Sequence, residues 1–217
     1  ERRNREGLTP VEPLLNEMEA AKTKADLQQL QLKYAVEGYG VGFASYFAAD
    51  EKNVTTNILS LSQSGLTLGQ KDYYLNNDAA TVTIREAYKQ HLVRMFCLYG
   101  FSEAQATARA NAVFRAETAL ALVSKSVTEL RDPQANYNKM TLKEFQELYP
   151  NIPLEKMANA EGVKSAYIQE IVVGQPAFMA GYDKIYAAAT ADDLRALMEW
   201  DVIQNSASYL SDEIREA

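Results

Sequence analysis

The 217-residue sequence is poor in the residues that build compact chemical centres. It has one cysteine, Cys97, and one histidine, His91. A single cysteine closes no intramolecular disulfide. Lying in the apolar run "HLVRMFCLYGF", it is expected to be a small core residue. Zinc takes about three or four ligands from His, Cys, Asp and Glu. With one imidazole and one thiol, no HExxH pair can be written. A Ser-His-Asp or Cys-His arrangement would have His91 as its only imidazole base. No GxSxG elbow is present. Neither GxGxxG nor a GxxxxGK[ST] phosphate loop occurs. No apolar run reaches the roughly 18 residues of a membrane span, and no signal peptide is visible. The net charge of −7 argues against a nucleic-acid partner, because phosphate binding needs a basic surface.

What is present is the composition of a globular protein, 47% hydrophobic and 24% charged. Periodicity points to helices. Thr9 and Pro10 form an N-cap and first-turn pair ahead of Leu14, Leu15 and Met18. A second helix starts near Ala25, carries Leu27, Leu30, Leu32 and Tyr34, and stops at Gly38 and Gly40. The period then changes. Phe43, Ser45 and Phe47 alternate with Ala44, Tyr46 and Ala48, "ADEKN" reads as a turn, and Ile58, Leu59 and Leu61 follow, so a β-hairpin is expected. "NNDAATVTIREAYKQHLVRMFCLYGFS" predicts a helix of about five turns with Ile84, Tyr88, His91, Leu92, Met95 and Phe96 on one face, ended by Gly100. Here His91 reads as a partly buried packing residue with a satisfied ring nitrogen.

Ser102 and Gln105 form a capping box for the next, alanine-rich helix, which another helix can approach closely. A connector with Pro133 leads to a short helix capped by Thr141 and Glu144. A strand candidate covers 168–173, and Pro176 starts a further helix. The final helix is expected to begin at Thr190 and run past Glu213, with a stripe of Leu197, Trp200, Ile203, Ala207, Leu210 and Ile214. Asp192 and Asp193 in its first turn suit the helix dipole better than catalysis. "DEKNVTTNILSL" lacks the glycine and closing glutamate of an EF-hand loop. The thirteen tyrosines, Tyr46, Tyr73, Tyr74, Tyr99, Tyr137, Tyr182 and Tyr186 among them, are dispersed and read mainly as packing residues with polar tips; a sugar- or peptide-binding platform is the alternative. The fold class is therefore mainly α, a multi-helix domain with a small β-hairpin, read as one domain over 1–217. No catalytic, cofactor-binding or metal-ligating residue is assigned. The first residue is Glu1, not methionine, and the last residues read as helix, so a piece of a longer protein is expected.

One stretch asks for more. "ILSLSQSGLTLGQKDYYL" resembles a segment of the neprilysin and endothelin-converting-enzyme family of zinc endopeptidases, matching at Gly65, Leu66, Leu68, Asp72, Tyr73 and Tyr74; the family's proline and arginine are here Gly69 and Lys71. "RDPQANYNKMTL" matches at Arg131, Asp132, Pro133, Tyr137, Asn138, Lys139, Met140, Thr141 and Leu142. "DLRALMEWDVIQNSASYLS" matches at Asp193, Leu194, Met198, Trp200, Ile203, Leu210 and Ser211. The resemblance implies a segment of the mostly helical, non-catalytic domain, which faces the zinc-bearing domain across a chamber and admits peptides and small proteins. The HExxH helix, the downstream glutamate and the substrate-clamping asparagine would lie C-terminal to Ala217 in a longer parent, so zinc and peptide substrates belong to the parent and none of its functional residues maps onto this chain. The partner of this segment would be the catalytic domain of the same chain. Eukaryotic members are disulfide-rich, so the lone Cys97 suggests a bacterial member, exported to the periplasm or cell envelope.

Within that resemblance the Gly65–Leu75 stretch reads as a structural corner. Gly65 lets the chain leave the strand, Gly69 gives up the rigidity of proline, Asp72 caps the next turn, and one of Tyr73 and Tyr74 is buried with its hydroxyl bonded. A stand-alone helical binding module is the alternative function, and a free-standing enzyme built from carboxylates is a third.

Overall fold

Several helices start at reciprocal side-chain caps. Thr23 accepts from the Asp26 amide while the Asp26 carboxylate accepts from the Thr23 amide, satisfying donors left open at a helix N-terminus. The same box forms between Thr141 and Glu144 and between Thr190 and Asp193. Ser102 and Gln105 exchange the equivalent bonds. The computed structural model describes residues 1–40 and 42–217.

In chain order the elements are α1 (Arg2–Glu6), α2 (Glu12–Ala20), α3 (Lys24–Ala35), β1 (Phe43–Asp50), β2 (Asn53–Gln63), α4 (Asp72–Leu75), α5 (Ala79–Leu98), α6 (Glu103–Val123), β3 (Asn138–Thr141), α7 (Leu142–Leu148), α8 (Leu154–Ala160), β4 (Glu170–Val173), α9 (Pro176–Ala188), α10 (Ala191–Ser206) and α11 (Asp212–Arg215). The fold is mainly α with a small sheet. The chain forms two compact units, one of Glu1–Val41, Asn76–Ala116 and Ala189–Ala217, the other of Gly42–Leu75 and Glu117–Ala188.

In the first unit α10 packs against α2, α3 and α5. Its centre is Trp200, whose ring lies 6.0 Å from Phe96, 6.0 Å from His91 and 6.4 Å from Tyr88. Leu92, Phe96, Val113, Val202 and Ile203 are fully buried in the same unit. Burying side chains of this size stabilises by roughly 1.5–3 kcal/mol each before entropy is counted.

Several expectations change here. Thr9 and Pro10 lie in a turn; α2 starts at Glu12 with Val11 at its N-cap and proline in its first turn. Ile84 is exposed. Cys97 is exposed too, because it falls on the solvent side of α5 between buried Phe96 and Tyr99. The last helix does not run unbroken past Glu213: α10 ends at Ser206, a 3₁₀ turn covers Ala207–Tyr209, and α11 follows. The Ser206 hydroxyl donates to the Val202 carbonyl at 2.6 Å and meets the Tyr99 hydroxyl at 2.9 Å. Such back-bonding competes with the helical ladder. Leu210 and Ile214 of the expected stripe remain buried beyond the break.

In the second unit the expected hairpin is the start of a four-stranded sheet ordered β1-β2-β4-β3. β1 and β2 are antiparallel, with Phe43 opposite Gln63 and Phe47 opposite Leu59. β2 and β4 are parallel, with Leu61 opposite Val173, and β3 closes the far edge antiparallel to β4. Leu61, Ile171 and Val173 are buried. The rings of Phe178, Tyr182 and Tyr186 stack along α9, and Phe43 meets Tyr182 edge-on at 5.4 Å. Gly42 has φ +107°, and a Cβ there would land on the Tyr182 ring, so no larger residue fits.

Candidate functional site

The corner after β2 is built from residues that hold one another. Gly65 has φ +85°, which lets the strand end in a turn. The Gly69 amide donates to the Leu66 carbonyl at 2.8 Å with φ +83°. Proline could adopt neither that φ nor that bond. Gly69 therefore holds its own turn geometry and is not a slackened proline position. Asp72 is the first residue of α4, inside the helix and not before it. Tyr74 is buried and Tyr73 half-buried. The Tyr74 hydroxyl donates to Glu117 Oε2 at 2.7 Å and accepts from the Leu68 amide at 3.0 Å. Thr67 Oγ1 donates to Glu117 Oε1 at 2.6 Å, and Lys71 Nζ donates to the Ser124 carbonyl at 3.0 Å.

Glu117 is 3% exposed, so two hydroxyl donors serve a buried carboxylate. Burial first, and the Glu117 charge second, hold the Tyr74 hydroxyl far above its usual pKa. Tyr74 stays protonated and bonded, which suits a fastener and not an acid or base.

A second polar group in the same unit joins the sheet to the following connector. Asp50, 2% exposed, accepts from the Lys52 amide at 2.9 Å, the Tyr137 hydroxyl at 2.7 Å and Lys139 Nζ at 3.3 Å. The Lys52 amide bond, then Tyr137, hold the Asp50 carboxyl below its ordinary range. Lys139 also reaches Glu170 at 2.9 Å. Asp132 accepts from the Gln134 and Ala135 amides, and Asn138 Nδ2 donates to the Val173 carbonyl at 3.0 Å. The "RDPQANYNKMTL" residues thus form a turn, an edge strand and a helix cap.

The first unit carries an open groove of about 550 Å³ along α6 and α10. Arg109, Arg115, Asp192, Asp193, Arg195 and Glu199 line it. Arg109 bridges two carboxylates: its Nε donates to Glu199 at 2.7 Å, and its Nη2 pairs with Glu19 of α2. Its guanidinium also lies 4.0 Å from the Phe101 ring centroid. Arg115 pairs with Asp193 at 2.9 Å. Arg195 donates to the Met18 and Ala21 carbonyls at 3.1 and 2.8 Å, closing the end of α2. Asp193 is the third-position partner in the Thr190 capping box of α10, and Asp192 pairs with Arg195, so the adjacent pair serves the helix start.

The candidates singled out in the sequence are not brought together. His91 is half-buried against Trp200, and burial lowers its pKa, favouring the neutral ring. Cys97 is exposed on the same helix. The tyrosines form no platform: Tyr46 is exposed, whereas Tyr74, Tyr99, Tyr182 and Tyr186 are buried in two different units. Glu117 and the Glu19–Arg109–Glu199 set were missed, because their partners lie 43 to 90 residues apart and no local spacing marks them. Among the described residues no group of three or more His, Cys, Asp or Glu side chains could hold a metal ion.

Comparison with known proteins shows the family. The model described as peptidase family M13 matches residues 1–217. The chain belongs to peptidase family M13. It is 30% identical over 184 residues to endothelin-converting enzyme 1 of Cavia porcellus, a match covering 81% of this chain and 24% of that protein. The endothelin-converting enzyme homolog of Locusta migratoria is 28% identical over 200 residues, 88% of this chain and 27% of that protein. Among solved structures, the Mycobacterium tuberculosis zinc metalloprotease Zmp1 in complex with inhibitor superposes with a TM-score of 0.90 at 25% identity, covering 99% of this chain and 32% of that one. PepO from Lactobacillus rhamnosis HN001 shares the fold at a TM-score of 0.77. The chain spans about a quarter of the length of the curated relatives it matches.

Proposed function

We propose that residues 1–217 form part of the non-catalytic helical wall of a zinc metalloendopeptidase, shaping a chamber that admits peptides and small proteins and turns away large folded ones. The observation that carries this is the whole-chain family match on a segment whose described residues gather no metal-ligating set. The buried fasteners at Tyr74–Glu117 and Asp50–Tyr137 support it, since each holds backbone and presents no reactive group. Catalysis and zinc belong, in this reading, to the rest of the parent chain, which is also the partner of this segment. Export of a bacterial parent to the periplasm or cell envelope is part of the same proposal. No helix among the described residues is long and apolar enough to cross a membrane.

The test is a size series on the full-length parent. One cleavable sequence is offered as a short unstructured peptide, then as a tail on a small protein, then inside a stable folded domain. Cleavage of the first two and sparing of the third is the expected result. Equal rates on all three would remove the size-selecting role.

A further inference from the structure

The charges around Arg109 do not balance. Glu199 is completely buried, Glu19 is partly exposed, and one guanidinium serves both carboxylates. Fully ionised, the set holds one surplus negative charge with one member out of water, an arrangement that disfavours full ionisation. One added proton makes it neutral and turns a carboxylate repulsion into a carboxyl–carboxylate hydrogen bond. The three residues stand on α2, α6 and α10, so the set joins three helices.

We propose that Glu19, Arg109 and Glu199 form a proton-operated clasp, closed when the pair of carboxyls holds one proton and loosened, at the junction of α2 with α10, when that proton leaves.

The surroundings fit such a device. From α6 the facing charge is Arg109; Arg115 is engaged with Asp193. From α2 it is Glu19, while Glu17 is taken up by Lys33 and Tyr34 of α3. From α5, His91 lies against Trp200, with its ring held toward the neutral form. On α10 itself, Arg195 is committed to Asp192 and to the Met18 and Ala21 carbonyls, and Asp201 accepts from the Gly40 amide at 2.8 Å. Burial pushes the Glu199 carboxyl up to about 7 against the pull of Arg109, with Glu19 adding to the rise. A carboxyl raised on folding contributes stability that is full below its unfolded value and is lost as pH climbs through the folded one. The clasp therefore holds in mild acid and loosens above neutrality.

Hydrogen exchange of the α2 and α10 amides in the full-length parent, corrected for intrinsic base catalysis, reads the clasp directly. An Asp201→Asn background removes the other α10 carboxyl whose pKa is raised. Protection is expected to fall about tenfold between about pH 6 and about pH 8, as linkage gives for this rise. Glu199→Gln keeps an N–H for Glu19 and an oxygen for Arg109 but has no proton to lose, so its change should stay under about twofold. Equal protection at the two pH values with Glu199 present, or the same fall with Gln in place, overturns the proposal. Carbon-13 titration of the Glu199 carboxyl covers the case of a variant that does not fold: a midpoint near neutrality is expected, and one near the ordinary glutamate value of about 4.3 overturns it. These readouts do not depend on peptidase activity, so their failure and the failure of the chamber-wall reading are distinguishable.

Discussion

The hydroxyl of Tyr74 donates to the carboxylate of Glu117 across 2.7 Å, in a site where both residues are buried. The same hydroxyl receives the Leu68 amide, so one atom fastens the corner after β2 to the C-terminal end of α6. Tyr74→Phe removes both bonds and leaves a buried carboxylate one donor short. The expected loss is about 1–3 kcal/mol, read as a lower midpoint in chemical denaturation. Tyr73→Phe, at the half-buried neighbour, should stay within about 0.5 kcal/mol. Equal effects from the two substitutions would contradict the assignment.

Gly69 stands where the resembling family has proline, yet its backbone has φ +83° and its amide is bonded to Leu66. Gly69→Pro should therefore destabilise by more than about 1 kcal/mol, although it restores the family residue. A stabilised variant in thermal unfolding would show that the turn is able to switch to the proline geometry.

Cys97 is exposed on α5. A maleimide should label it completely in the native protein without denaturant. Cys97→Ser should change stability by less than about 0.5 kcal/mol, as for surface positions generally. Labelling that waits for unfolding would return the residue to the core.

Asp201 gives the first unit a second acid-side dependence. Burial pushes its carboxyl up to about 6, opposed by the Gly40 amide bond. Because the folded value is the higher one, its contribution is complete below the unfolded value, near 4, and fades as pH rises through 6. Asp201→Asn keeps an acceptor for Gly40 and should flatten the stability profile between about pH 5 and pH 7. Denaturation midpoints across that range decide it; an unchanged slope would place the titration elsewhere.

Local signals in the sequence were legible wherever the chain's own neighbours decide structure. Thr141 with Glu144, Ser102 with Gln105, and Pro176 as the first residue of α9 each marked a helix start found in the fold. The hairpin was visible in the alternation around Phe43 and Phe47. Its growth into a four-stranded sheet was not, since Leu61 meets Val173 across more than a hundred residues of chain and periodicity carries no long-range pairing. Cys97 was misplaced because an apolar run looks buried on every side, while a helix turns one residue in several toward solvent. The break after Ser206 was hidden because the apolar spacing of Leu210 and Ile214 continues beyond it. Family membership was legible in three ordered stretches, whose residues prove to be caps, turns and core.

The most direct test compares the full-length parent with the 217-residue chain for zinc content and hydrolysis of an unstructured peptide, with and without a chelator. The expected outcome is a parent that holds zinc, cleaves the peptide and stops when the metal is stripped, beside a 217-residue chain that does neither. Stoichiometric zinc or peptide cleavage by the 217-residue chain itself would contradict the account and place a catalytic centre where it has only a scaffold.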